Sequence, residues 1–86
     1  MNEQIILGIR VTDRQAGTTA AVQSVLTKFG CSIGTRLGLH DPSTGTQAGN
    51  GLILLDVCGT REEAMKLENE LLKIDGIQVR KMIFEP

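Results

Sequence analysis

Two kinds of apolar periodicity alternate along this 86-residue chain, and their order is the feature that most constrains its fold. Four segments have the two-residue period or apolar character of strands, and they span residues 4–12, 32–40, 52–58 and 77–84. Residues 14–29 and 60–74 instead repeat apolar side chains every three or four positions, as amphipathic helices do. The order β-α-β-β-α-β predicts a single ferredoxin-like α+β domain over residues 1–86. We expect a four-stranded antiparallel sheet with both helices on one face and the first and third strands in its centre.

The ends of the predicted helices carry recognisable capping signals. Thr12 or Asp13 can cap the first helix, and a glycine follows each helix, as is common at helix C-termini. Thr60 and Glu63 form a capping box at the start of the second helix. These signals place each helix directly after a strand, as two βαβ halves require.

The strand alternation divides the side chains of the predicted sheet between two faces. The helix-facing positions are all apolar, and they are Ile5, Leu7, Ile9, Val11, Ile33, Leu37, Leu39, Ile53, Leu55, Val57, Ile77 and Val79. The opposite face is predicted to carry Ile6, Gly8, Arg10, Gly34, Arg36, Gly38, His40, Leu52, Leu54, Asp56, Cys58 and Arg80, with Met82 and Phe84 towards its end. On that face, an ion pair between Arg36 and Asp56 is expected.

Apolar side chains on the face without helices predict self-association. Ile6, Leu52 and Leu54 lie on predicted strands that would otherwise show them to water, and a contiguous exposed apolar area usually marks an interface. We therefore predict a homodimer or homotetramer whose interface includes these three residues and Asp56.

Composition argues against several classes of protein. The net charge is −1 and the chain has no Trp or Tyr, so it lacks the basic excess and stacking platform of a nucleic-acid binder. It also lacks the roughly 20-residue apolar run of a membrane span, and its first residues do not resemble a signal peptide. Cys31 and Cys58 share no CxxC spacing, so we expect no metal site, and we expect no cofactor. Because no export signal is recognised, we expect both thiols to be reduced and the protein to be cytoplasmic.

Catalytic and ligand-binding patterns are sparse. His40 is the only histidine, and no nucleophile–histidine pair or carboxylate pair can be built around it, so we do not expect an enzyme. The glycine-rich stretch 45–51 leads into a strand and lacks the P-loop signature, which favours a hairpin tip.

The turn over residues 12–18 joins a strand end to a helix start, where free N–H groups can hold a carboxylate or simply be capped. The candidate ligand contacts are Arg10, Asp13, Gly17, Thr18, Arg36 and His40.

Two resemblances to known families follow from short motifs. The run Asp13-Arg14-Gln15-Ala16-Gly17, followed by the apolar helix and the turn into the second strand, resembles an ACT domain, and the element order matches over essentially the whole chain. The stretch 33–39 and the ending 75–82 more closely resemble the small stand-alone ACT-like family of iron-only hydrogenase system regulators.

That second family is related in fold to the C-terminal domain of the nickel-responsive regulator. The nickel ligands of that domain do not carry over, because only His40 lies in the corresponding region. The resemblance implies a regulatory, small-ligand-sensing domain that acts as a homo-oligomer in transcriptional or hydrogenase-system control. The alternative is a structural or protein-interaction subunit that binds no small molecule.

Overall fold

The order of secondary structure elements agrees with the sequence pattern. A computed structural model describes residues 3–12, 16–39 and 51–86 of the chain. Its elements are β1 (Gln4–Val11), α1 (Ala16–Lys28), a short 3-10 helix (Gly30–Ser32), β2 (Ile33–Leu39), β3 (Leu52–Val57), α2 (Arg61–Leu72) and β4 (Ile77–Phe84). The four strands form one antiparallel sheet in the order β2-β3-β1-β4, with β1 and β3 in the centre. This arrangement confirms the predicted ferredoxin-like fold.

The hydrophobic core lies between the helices and the two central strands. Its strand side consists of buried, alternate residues of β1, β3 and β4, namely Ile5, Leu7, Ile9, Val11, Leu55, Val57 and Val79. Its helix side consists of Val22, Leu26, Ala64, Leu67 and Leu71. Ile33, Ile53 and Ile77 are partly buried and pack against or beside this cluster. These ten strand residues occupy the positions predicted for them, because alternation brings every second side chain of a regular strand to the helices.

The prediction for the last part of β2 is wrong, and the cause is a β-bulge. Ile33 pairs with Val57, but Thr35 already pairs with Asp56, so Gly34 is an extra residue in β2. The extra residue reverses the alternation from that point onwards. Leu37 and Leu39 therefore lie on the face opposite the helices, where they are 51% and 44% exposed.

The same bulge moves Arg36 and Gly38 to the helix side of the sheet. Arg36 pairs with Leu55 and Gly38 with Ile53, and both partners face the helices. The predicted ion pair between Arg36 and Asp56 is also wrong, since the two side chains lie on opposite faces of the sheet. Arg36 therefore does not belong to the ligand contacts that the sequence predicts on the face without helices.

Both ends of α2 are fixed by local interactions. The Thr60 hydroxyl oxygen accepts a hydrogen bond from the Glu63 backbone N–H at 3.1 Å, which confirms the predicted cap. After the helix, Gly76 adopts a positive φ of 87°, a conformation that glycine adopts without steric cost. The Thr12 backbone N–H donates to the carbonyl of Gly76 at 2.8 Å, which joins this turn to the end of β1. The predicted cap of α1, Thr12 or Asp13 together with Gln15, depends on residues 13–15, which lie outside the described part of the chain.

Glu70 forms two exposed ion pairs, one of which connects the two helices. The Glu70 carboxylate lies 2.9 Å from the Lys73 ammonium, at the C-cap of α2, and 3.6 Å from the Lys28 ammonium at the end of α1. The hydrogen bond from Lys73 is the main reason that the pKa of Glu70 is lowered from its usual value, and Lys28 adds to the effect. Neither α1 nor α2 is long and apolar enough to cross a membrane.

Candidate functional site

The face of the sheet without helices, called here the open face, has an apolar centre on β2 and β3. Leu37 pairs with Leu54 and Leu39 pairs with Leu52, so four leucines form a square on two neighbouring strands. This leucine cluster (Leu37, Leu39, Leu52 and Leu54) has three members that are 36 to 51% exposed. The bulge at Gly34 is what brings all four together, because it turns Leu37 and Leu39 towards this face.

A shallow depression lies next to the leucine cluster, on β1. Gly8 pairs with Leu54 on one side and with Arg80 on the other. A Cβ atom at Gly8 would lie 3.6 Å from Leu54 Cδ2 and 3.9 Å from Leu52 Cδ1, so these two side chains wall the space above the Gly8 backbone. The missing side chain leaves the main chain of a central strand accessible from the open face.

The apolar surface continues beyond the depression towards the other end of β1 and β4. Ile6 pairs with Met82, and Phe84 follows on the same face of β4. Met82 and Phe84 are both exposed, and Ile6 is partly buried. The open face therefore carries apolar side chains from all four strands.

Three charged side chains lie on the described part of the open face. Arg10 pairs with Leu52 and Gln78, and Arg80 pairs with Gly8. Asp56 pairs with Ile6 on the other side of the cluster from Arg10. A cleft of about 340 Å³ lies at the Arg10 end, where it is lined by Arg10, Val11, Thr12 and Gln78. Two cations thus border the depression at Gly8, and the single anion lies away from them.

The structure unites some of the residues predicted as functional and separates others. Ile6, Leu52, Leu54 and Asp56, the predicted interface, lie together on the open face with Arg10. The predicted interface does not include Leu37 and Leu39, which the bulge turns to this face. The one sequence signal for the bulge is Gly34, since a glycine inside a strand often marks one.

Gly17 and Thr18, the described residues predicted around the turn before α1, do not join the open face. Thr18 is buried, and its hydroxyl donates to the Asp75 carbonyl at 3.4 Å, which ties the start of α1 to the turn before β4. Gly17 is exposed in the first turn of α1, and a Cβ atom there would meet no neighbour within 4 Å. Asp13 and His40 lie outside the described residues.

A second concave surface lies between α2 and the edge strand β4. This groove of about 340 Å³ has an apolar floor made of Ile5, Leu7 and Ala64. Ion pairs cross between elements beside it, from Arg61 to Glu3 and, at 2.9 Å, from Lys81 to Glu68. The pairing with Glu3 raises the pKa of Arg61. The charges at this groove are therefore already matched within the chain.

The two thiols and the remaining acids form no recognisable metal site. Cys31 and Cys58 are both free and exposed, at the same end of the sheet. Residues 3–12, 16–39 and 51–86 contain no group of three or more His, Cys, Asp or Glu side chains that could hold a metal ion.

Comparisons with known proteins identify the fold but no family. No protein-family model and no curated protein matches the chain. Among solved structures, the uncharacterized protein TM1266 from Thermotoga maritima is similar over 98% of both chains, with a TM-score of 0.77 and 18% identity. A formyltetrahydrofolate deformylase from Pseudomonas putida KT2440 is similar over 99% of this chain, with a TM-score of 0.52 and 13% identity, but this chain covers only 29% of it.

A third solved structure extends the same likeness to another small protein. It is CPII from Thiomonas intermedia K12, bound to ADP, AMP and acetate, with a TM-score of 0.50 and 12% identity. The match covers 99% of this chain and 91% of CPII. At these identities the three similarities establish a ferredoxin-like fold and leave the function to be argued from the site.

Proposed function

We propose that this chain is a regulatory, small-ligand-sensing ACT-like domain that works as a homo-oligomer assembled through the open face, and that it is not an enzyme. The observation that carries the proposal is the leucine cluster, which presents contiguous apolar surface beside Ile6, Met82 and Phe84. A contiguous apolar patch of this kind is typical of an interaction surface.

The occupant of the open face that we favour is a second copy of the chain. Sheets pack face to face at about 10 Å with interdigitating side chains, and the leucine cluster offers such side chains from two adjacent strands. The face also carries both signs of charge, with Arg10 and Arg80 on one side of it and Asp56 on the other. Two copies can therefore bring unlike charges together around a shared apolar centre.

The size of the apolar gain suits a regulated assembly. Full burial of a leucine contributes about 1.5–3 kcal/mol, so each leucine that is 36 to 51% exposed can still gain about 1 kcal/mol. Three such leucines in each of two copies give about 6 kcal/mol. This gain is of the same order as the roughly 4–15 kcal/mol that association costs in lost freedom. An assembly balanced in this way responds strongly to a ligand that binds one state better than the other.

The assembly is tested by one substitution with a matched control. Leu54→Asp places a charge in the leucine cluster, and we expect it to abolish self-association in sedimentation equilibrium experiments. Leu72→Asp makes the same change at a 58% exposed site on α2, and we expect it to leave association unchanged. If the wild type and the Leu54 variant are both monomeric at all concentrations, the proposal is wrong.

Ligand sensing is tested separately by thermal shift. A ligand that binds only the native state raises the melting temperature, so amino acids, nucleotides and divalent metals can be screened against the full chain. A reproducible rise with one class supports sensing. An oligomer that responds to no class supports the alternative, a structural or protein-interaction subunit, which the apolar open face would also serve.

The sequence resemblance indicates which process to test. The sequence motifs at 33–39 and 75–82 resemble iron-only hydrogenase system regulators, so we propose hydrogenase maturation as the process to test first. A gene neighbourhood that contains hydrogenase maturation genes would support this choice, and one without them would count against it.

A further inference from the structure

The charges of the open face do not balance when two copies meet. In the described residues, each open face contributes Arg10 and Arg80 but only Asp56 as a counter-charge. Two copies packed face to face would thus enclose four arginines and two aspartates. Because burying an unpaired charge is costly, a bound anion would offset part of the cost of assembly.

Arg10 and Arg80 start from neighbouring positions on the open face. The Arg80 guanidinium donates to the Val79 carbonyl at 3.0 Å, and it would exchange this contact for a shared anion. Gly8 pairs directly with Arg80 across β1 and β4, and Arg10 follows two residues later on the same face of β1. Such diagonal neighbours in an antiparallel sheet have Cβ atoms about 7–8 Å apart, within reach of two long side chains. Asp56 lies on β3, with β1 between it and Arg80, and no ion pair joins it to either arginine within the described residues.

The surroundings of Gly8 indicate what the rest of the ligand is. Leu52 and Leu54 wall the space above Gly8 at 3.9 and 3.6 Å from the position of an added Cβ. The cleft lined by Arg10 and Gln78 adds a polar amide at the same end of the face. The site thus joins an anion-binding side to an aliphatic side.

We propose that Arg10 and Arg80 bind the carboxylate of a small aliphatic acid, whose hydrocarbon part lies over Gly8 against Leu52 and Leu54. Arginine suits this role because its planar guanidinium can donate two parallel hydrogen bonds to a carboxylate. The inference deepens the proposed function, since a ligand held here would lie at the boundary between two copies and promote their association.

The binding test uses hexanoate as the probe and the backbone amide of Gly8 as the reporter. We expect hexanoate to shift the Gly8 and Arg80 amide resonances of the full-length chain saturably, and to bind more tightly than acetate or inorganic phosphate at equal ionic strength. A response to phosphate that equals the response to hexanoate would reduce the site to a general anion site and overturn the proposed ligand class. Absence of any saturable shift would overturn the site itself.

Substitutions separate specific binding from general electrostatics. Arg10→Gln and Arg80→Gln are each expected to weaken hexanoate binding about tenfold, the usual loss for one charge-assisted partner. Lys66→Gln removes the same charge from an exposed site on α2 and should leave binding unchanged. Equal affinities for all three variants would contradict the proposed contacts.

A fourth variant tests the aliphatic side. Gly8→Ala should fold normally, because its Cβ would meet only ordinary van der Waals contacts from 3.6 Å outwards. It partly fills the depression, so we expect it to weaken hexanoate binding and to leave phosphate binding unchanged. A loss that is equal for both probes would contradict the position of the hydrocarbon part.

Failure of this site and failure of the proposed function give different results. If hexanoate tightens self-association in sedimentation experiments, by about tenfold for a typical coupling, the result supports both the site and the proposed function. A wild-type chain that stays monomeric with and without hexanoate overturns the proposed assembly, and the Gly8 titration then decides the site alone.

Discussion

Leu37 gives a direct test of the bulge and of the interface together. Its side chain is 51% exposed on the open face, so Leu37→Ser removes about half of a leucine's burial energy from the isolated domain, or about 1 kcal/mol. In a face-to-face dimer the exposed half becomes buried in both copies, and the variant loses about 2 kcal/mol of association free energy. At 1.4 kcal/mol for each factor of ten, the dissociation constant should rise roughly 30-fold.

The assays are sedimentation velocity over a concentration series for association and urea unfolding for stability. Leu72→Ser, at a 58% exposed site on α2, is the control, and its dissociation constant should equal that of the wild type. If Leu37 were a core residue, Leu37→Ser would lower the free energy of unfolding by about 2–5 kcal/mol and leave association unchanged. That outcome would place Leu37 under the helices, as uninterrupted alternation predicts, and would refute the bulge.

Three further predictions concern local interactions. Gly34→Ala should cost about 1 kcal/mol of stability in chemical denaturation, because its Cβ would lie 2.5 Å from Cys58 Sγ. The same substitution in a Cys58→Ala background should cost less. An equal cost in both backgrounds would contradict the contact. Thr60→Ala should lower the free energy of unfolding by about 1 kcal/mol, because it removes the cap of α2. Thr60→Ser keeps a hydroxyl group and should not lower it. Equal losses in the two variants would rule out the cap as the cause. Because Lys73 lowers the pKa of folded Glu70, its stabilisation is present at neutral pH and is lost as the pH falls through that lowered pKa. Glu70→Gln should therefore lower the melting temperature at neutral pH but not in strong acid, and a difference that persists in acid would refute this role.

The sequence predicts the central strands well because both are regular and lie directly under the helices. In β1, Ile5, Leu7, Ile9 and Val11 alternate without interruption, and all four are buried. A buried face imposes strict alternation, so the pattern and the structure agree wherever a strand is covered and has no bulge. The same reasoning holds for the cap at Thr60, where the signal is local in sequence.

The pattern fails at β2 because this edge strand contains a bulge. Ile33, Thr35, Leu37 and Leu39 have the same parity in the sequence, and an unbroken strand would place all four on one face. Gly34 breaks the parity by adding one unpaired residue. The only sequence signal for this change is the glycine itself, and a glycine in a strand is compatible with several local geometries.

The candidate anion site was predictable only in part. Alternation placed both Arg10 and Arg80 on the face opposite the helices. Their proximity depends on the register between β1 and β4, which pairs Gly8 with Arg80 and Arg10 with Gln78. Register between strands that are distant in the sequence is set by three-dimensional packing, so periodicity along a single strand could not show that the two arginines border the same glycine.

The bulge and the exposure of β2 have a common physical consequence for assembly. Every residue of β2 after Ile33 is exposed, so the two helices leave this edge of the sheet uncovered. Leu37 and Leu39 therefore gain little burial on the open face of an isolated chain. On the helix side they would be separated from Leu52 and Leu54 by the sheet itself. The bulge instead joins them to those two residues in one surface, where a single partner can bury all four. Self-association through the leucine cluster is thus the arrangement in which the apolar residues of β2 contribute most to stability.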